Sequence, residues 1–175
     1  MRKLRMSELN RLSVENFKQV EKLPLAVVLD DIRSVLNVGS VFRTADAFLI
    51  DRLFLCGITP QPSREMNKTA LGATESVSWQ YFQDAVAAVR ELKTMGYELW
   101  AVEQTDQSVP LQEVEVSRNK KVALIFGHEV KGVGDEILAL CDGAIEIPQM
   151  GTKHSLNISV SAGVALWEFA RPHLK

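Results

Sequence analysis

Short continuous apolar runs alternate along the chain with stretches whose apolar positions return every three or four residues. Leu25–Leu29 (LAVVL), Leu53–Cys56 (LFLC) and Lys121–Phe126 (KVALIF) are of the first kind. Such runs read as strands buried on both faces of a parallel sheet. Val77–Phe82 alternates, and Tyr97–Val102 and Ile145–Ile147 complete the strand set. Helical periodicity appears from about residue 6 to 22, with Leu9, Leu12, Phe17 and Val20 as apolar positions, and Pro24 separates this helix from the body. A second helix is expected over Val38–Phe48. A third, capped by Asp84 and ended at Gly96, has Ala85, Val86, Val89 and Leu92 facing inward. Gly134–Cys141 reads as a short helix, and a final helix starts at Ile158. Lys68–Glu75 fits either a short helix or irregular chain. Strands alternating with helices predict an α/β fold with a parallel sheet covered on both faces, and right-handed crossovers make it doubly wound.

The stretch from Ile145 to Trp167 organises the rest. Pro148 stops the strand because it has no N–H for a ladder. Gly151 permits a turn closed to most residues. Ser155 or Asn157 can cap the helix that follows. A polar loop therefore sits between a buried strand and a buried helix. Two more loops follow strands in the same way, Asn37–Arg43 and Gly127–Gly134. In a parallel sheet the carboxyl ends of the strands share one edge, where ligands of open α/β sheets bind, so the three loops can form one site.

Composition narrows this only slightly. A chain of 175 residues with 46% hydrophobic residues makes one ordinary domain. Lys and Arg number 20 against 22 Asp and Glu, a formal net charge of -2, so no global basic signal for nucleic acid exists and any such patch is local. No apolar run approaches the roughly 18 residues of a membrane span, and no apolar signal core follows the charged amino terminus. Cys56 and Cys141 lie apart in apolar surroundings. They read as buried, reduced thiols of a cytoplasmic protein.

The loop FGHEVKGVGD is neither a Walker phosphate loop nor a dinucleotide fingerprint, although its glycines let a ligand approach the backbone. Glu129 within it is a solvated or capping carboxylate, or one that pairs with an arginine. His128 has no second histidine or cysteine at ligand spacing, so no metal site is read. Arg43 lies among Val41, Phe42 and Ala45. It is either a solvated helical charge or, turned to the sheet edge, a fork suited to a phosphate oxygen. The residues alone give a small-molecule site with an anion-binding arginine. They do not give a reaction.

Three segments carry a resemblance: LDDIRSVLNVGSVFRTADAF (Leu29–Phe48), ALIFGHEVKGV (Ala123–Val133) and IEIPQMGTKHSLNISVSAG (Ile145–Gly163). In this order and spacing they resemble the three motifs of the SpoU (TrmH-like) family of RNA ribose 2′-O-methyltransferases, in the SPOUT superfamily. The resemblance implies a Rossmann-like SPOUT fold with a carboxyl-terminal trefoil knot near residues 123–170, one of the exceptions to the rule against knots. It divides the chain into a helical extension, 1–24, and a methyltransferase domain, 25–175. It implies S-adenosylmethionine held by Gly127, Ile147, Gln149 and Leu156, largely through backbone atoms, with Val102 and Glu103 near the adenosine end. It implies a homodimer, with the final helix and its Trp167 and Phe169 as a candidate interface, the alternative being ordinary core.

By the same matching Arg43 is the catalytic arginine, and Asn37, Glu129, Ser155 and Asn157 form the polar set around it. Arg43 orients an RNA phosphate and ribose, Asn37 and Glu129 hold its loop, and Ser155 and Asn157 order the knot loop. Two positions depart from the family's usual residues: Gln149 where Met is common and His128 where Asn is common. The form of the third motif leans towards members that methylate a tRNA D-loop guanosine, with tRNA or rRNA as the wider substrate class. The larger tRNA enzymes carry a helical carboxyl-terminal extension that this sequence does not show. RNA contact is then expected from Arg2, Lys3, Arg5 and Arg11 and from Arg33, Arg64, Lys68, Lys131 and Lys153. Two rivals stand: an idle RNA-binding or assembly module that retains the fold, and a small-molecule enzyme acting on a nucleotide.

Overall fold

The structure is a computed structural model and describes residues 1–174. Its seven strands form one parallel sheet in the order β3-β2-β1-β6-β4-β7-β5. The strands are β1 (Leu23–Asp30), β2 (Ile50–Cys56), β3 (Ser78–Phe82), β4 (Tyr97–Val102), β5 (Val109–Pro110), β6 (Lys121–Phe126) and β7 (Gly143–Glu146). Alternate residues of β1, β2 and β6 enter opposite cores, which is why those runs are continuously apolar. Leu25, Val27, Leu29, Leu53, Leu55, Leu124 and Phe126 face one core. There they pack against α2 (Val35–Ala47) and α7 (Ile158–Ala170). Ala26, Val28, Phe54, Leu99, Ala123 and Ile125 face the other. That core is closed by α5 (Ala85–Thr94) and Ile137 of the short α6 (Asp135–Leu138). The expected parallel sheet with helices on both faces is what forms.

Several expected boundaries move. The amino-terminal helix is not continuous: a 3₁₀ turn, Met6–Glu8, is followed only later by α1 (Val14–Gln19). Asn10 adopts a left-handed backbone, φ 47, and Ser13 caps α1 by accepting from Asn16 N–H at 3.2 Å. Both features start the helix late. Phe17 of α1 is buried in the first core, so this segment packs on the body. Pro24 lies inside β1 and not before it. It sits where the β1–β2 register shifts, between Leu23 and Ala26, so its missing N–H interrupts no regular ladder. The second helix starts three residues earlier than expected because Ser34 caps it, accepting from Asn37 N–H at 3.3 Å. Residues 68–75 form parts of two one-turn helices, α3 (Asn67–Ala70) and α4 (Ala73–Ser76). The last strand ends at Glu146, before Ile147, and the two-residue β5 has no sequence signal.

The chain lays β1, β2 and β3 outward in one direction. It then crosses to β4 on the other side, leaving a place that β6 fills. The carboxyl ends of β1, β6, β4 and β7 therefore meet at the switch in strand order, where a crevice is expected.

Candidate active site

A cleft of about 550 Å³ opens at that edge. Its walls come from the ends of β4, β6 and β7, the loop before α7, and the first turn of α2. Asn37, Glu129, Ser155 and Asn157 line it, as do Val102, Glu103, Gly127, Ile147, Gln149 and Leu156. Ten of the eleven expected site residues are thus brought together. Arg43 is not among them: it is exposed, six residues beyond Asn37 on α2, about 9 Å along the helix axis. None of the ion pairs among the described residues involves Arg43.

The three loops are tied to one another by side chains. Glu129 accepts from the Arg33 N–H, at 3.2 and 3.3 Å to its two oxygens, joining the β6 loop to the β1 loop. Asn157 Nδ2 donates to Asn37 Oδ1 at 3.3 Å, joining the loop before α7 to α2. Asn157 also caps α7, accepting from Ser159 N–H at 2.9 Å, so of the two expected caps Asn157 is the one used. Glu103 receives Val133 N–H at 3.0 Å and Gln104 N–H at 2.9 Å, which fixes the β6 loop to the end of β4. Gln104 Nε2 donates to the His154 carbonyl at 3.3 Å. Gly127 is required by close approach: a Cβ there would lie 2.2 Å from Gly132 O. Gly132 has φ +68, the left-handed region that suits glycine.

Sequence reasoning missed several of these parts. Gln104, Glu146 and Ser161 line the cleft. Each follows or extends an element end already singled out, so position relative to the sheet edge was the available signal. Thr59 is 2% exposed and holds the β1 loop from below. Its Oγ1 accepts from Ile32 N–H and donates to the Leu29 carbonyl, both at 2.9 Å. Asp31, at φ 54, adds a bond from Ile58 N–H at 3.0 Å. No motif marks Thr59.

The charge of the cleft is distinctive. Among the described residues that line it are three carboxylates, Glu103, Glu129 and Glu146, and no Lys or Arg. A polyphosphate ligand would meet repulsion there, whereas a cationic one is favoured. Apolar walls from Val102, Phe126, Ile145, Ile147 and Leu156 suit a flat heterocycle. On the opposite side of the same edge Asp30, Asp31, Asp84 and Glu136 line a smaller cleft of about 290 Å³. Burial, then Asp31 and Asp84, push the Asp30 carboxyl up to about 6, with His128 pulling the other way. Among the described residues no group of three or more His, Cys, Asp or Glu is placed to hold a metal ion. No helix among them is long and apolar enough to cross a membrane.

Comparison with known proteins adds three findings. The pattern of the SpoU rRNA Methylase family matches residues 24–167. A tRNA (guanosine(18)-2′-O)-methyltransferase of Thermus thermophilus is 33% identical over 170 residues, 97% of this chain and 86% of that protein. A 23S rRNA (guanosine-2′-O-)-methyltransferase of Nitrosomonas europaea is 33% identical over 154 residues, 85% of this chain and 56% of that protein. The crystal structure of an AdoMet-bound rRNA methyltransferase from Sinorhizobium meliloti superposes with a TM-score of 0.80 at 27% identity, covering 91% of this chain and 60% of that one.

Proposed function

The chain belongs to the SpoU rRNA methylase family, and from that membership and the cleft we propose that it transfers a methyl group from S-adenosylmethionine to a ribose 2′-hydroxyl of tRNA or rRNA. The observation that carries this is the cleft itself: glutamates, apolar walls and backbone groups, with no Lys or Arg among the described residues that line it. That donor set fits a ligand with an adenine ring and a positively charged sulfonium, and it disfavours ATP or a dinucleotide. When bound, S-adenosylmethionine supplies an electrophilic methyl group. Gly127, Ile147, Gln149 and Leu156 would hold the cofactor, largely through backbone atoms, with Val102 and Glu103 near the adenosine end. The chain's work is to place the ribose oxygen in line with that methyl, and holding two reactants in geometry accounts for much of such an acceleration.

Arg43 is the catalytic residue of this reading. Outside its own cleft and without an acid partner among the described residues, it is available to an RNA phosphate. Its guanidinium grips the phosphate and orients the ribose; because arginine stays protonated, the proton that the hydroxyl loses as the sulfonium becomes a thioether goes to solvent water. Asn37 and Glu129 fix the loops around the ribose, and Ser155 and Asn157 order the segment before α7.

The finer features follow the family. The unit that carries the activity is residues 25–175, with residues 1–24 as an extension whose Arg2, Lys3, Arg5 and Arg11 face solvent, as do Arg33, Arg64, Lys68, Lys131 and Lys153. These are the phosphate contacts. The carboxyl-terminal segment forms a trefoil knot. In support, β7 is inserted between β4 and β5, two strands consecutive in the chain. The chain works as a cytoplasmic homodimer through α7. Val160, Val164 and Trp167 recur at helical spacing and are 50%, 40% and 46% exposed. Phe169, also expected at that interface, is 1% exposed and belongs to the core, so Trp167 carries the contact. A tRNA guanosine is the favoured target, as in the Thermus relative.

The test is transfer of labelled methyl from S-adenosylmethionine to unmodified tRNA and rRNA by wild-type and Arg43→Ala protein. Label in one RNA class, largely lost in Arg43→Ala although the cofactor still binds, is the expected result. Cofactor binding with no labelled RNA would sink the enzyme reading in favour of an idle RNA-binding module.

A further inference from the structure

The loop after β6 folds back on itself around one imidazole. His128 Nδ1 accepts from Val130 N–H at 3.0 Å and from Lys131 N–H at 3.3 Å. The His128 carbonyl accepts from Gly132 N–H at 2.8 Å, and the two residues form an isolated antiparallel bridge. The turn so closed presents Gly127, His128, Val130 and Gly132 to the cleft and delivers Val133 N–H to Glu103. Nδ1 can accept only while it carries a lone pair, so the neutral ring here has its proton on Nε2.

We propose that neutral His128 is the positioning residue that shapes the cofactor half of the cleft, and that a proton on Nδ1 opens the loop and releases S-adenosylmethionine. This rests on the reading that the cleft takes that cofactor. A proton on Nδ1 would point at two N–H groups already aimed at the same atom. Three donors would then share no acceptor, and the turn would lose both side-chain bonds at once. The groups with charge around the ring are Asp30 at the end of β1, Glu103 at the end of β4, and Glu129 and Lys131 of its own loop. Asp30 has its carboxyl raised to about 6 and must be separated in any test. Asparagine distinguishes the roles: its Oδ1 accepts the same two N–H groups from the same place in the turn and gains no proton in this range.

The experiment is calorimetric binding of S-adenosylhomocysteine between about pH 5.5 and 7.5, the range in which histidine changes charge. It uses wild type, His128→Asn, His128→Ala and Asp30→Asn, each checked for fold by circular dichroism at every pH. A loop that needs the neutral ring should lose affinity as pH falls across this range, by up to about tenfold per pH unit once the ring is protonated. Wild type and Asp30→Asn should both show that fall. His128→Asn should bind at high pH within about threefold of wild type and stay flat, while His128→Ala should bind weakly throughout. A folded His128→Asn protein that falls as steeply as wild type overturns the proposal, as does His128→Ala binding as wild type does. A flat wild-type profile also overturns it while leaving the cofactor reading intact. No binding by wild type at any pH removes the cofactor reading and the histidine's role with it.

Discussion

Gly127→Ala should damage cofactor binding far more than adding one methyl group suggests. A Cβ at residue 127 would lie 2.2 Å from Gly132 O, 2.3 Å from Gly132 C and 2.4 Å from Val133 N, where ordinary contact begins at 3.4 Å. All three are backbone atoms, so no rotamer change relieves the overlap, and the 132–133 segment must retreat by about 1 Å. That movement breaks the Gly132 N–H bond to the His128 carbonyl at 2.8 Å, worth about 1 kcal/mol. It also breaks the Val133 N–H bond to the Glu103 carboxylate at 3.0 Å, worth about 1.5–3 kcal/mol because the acceptor is charged. Together they hold the loop closed by about 2.5–4 kcal/mol. If only the closed loop binds, the dissociation constant of S-adenosylhomocysteine rises between about 50-fold and several hundred-fold. Calorimetric titration reads this directly, with a thermal melt to show that the protein remains folded. A folded Gly127→Ala protein within about fivefold of wild type would refute the claim that this loop is the cofactor wall.

Thr59→Ala should destabilise the fold by about 2 kcal/mol in urea unfolding, because it orphans the buried Ile32 N–H and Leu29 carbonyl; Thr59→Ser should restore most of it. Asp30→Asn should stabilise at neutral pH and not at pH 4. The folded carboxyl, at about 6, lies above its ordinary value of 3.8, so its contribution is intact below that value and lost as pH rises through 6. Two pH units correspond to about 3 kcal/mol, and solvent screening of this half-buried group reduces that to about 1 kcal/mol, or 2–4 °C in Tm. Trp167→Glu, placed in the exposed apolar stripe of α7, should shift the mass seen by light scattering from that of two chains to that of one; an unchanged mass would remove α7 as the interface.

The sheet was legible because continuous apolar runs such as Leu25–Leu29 have one economical explanation, burial on both faces. The site was legible to the extent that it follows strand ends. Asn37, Gly127 and Asn157 all sit where a parallel sheet gathers its carboxyl edges. What escaped was set by contacts distant in sequence. Thr59 supports Ile32 from across a different loop, and Gln104 reaches His154, with nothing periodic to announce either bond. The amino-terminal helix was misread because its apolar spacing continues through residues 6–22, whereas Asn10 and Ser13 decide locally where helix can begin. Whether Phe169 belonged to the interface or the core was open for a related reason. In a helix apolar nearly all round, composition does not tell which stripe faces the core, and only packing against the sheet puts Phe169 inward and Trp167 outward.

The central claim is that methyl goes from a sulfonium to a ribose oxygen, and where the methyl lands tests it most directly. Unmodified tRNA and rRNA would be incubated with the protein and S-adenosylmethionine, digested to nucleosides, and separated by mass spectrometry with ribose and base fragments resolved. The expected product is a nucleoside carrying its new methyl on the ribose, with 2′-O-methylguanosine from tRNA foremost. A methyl on a base, or none on RNA from a protein that binds the cofactor, would contradict the account.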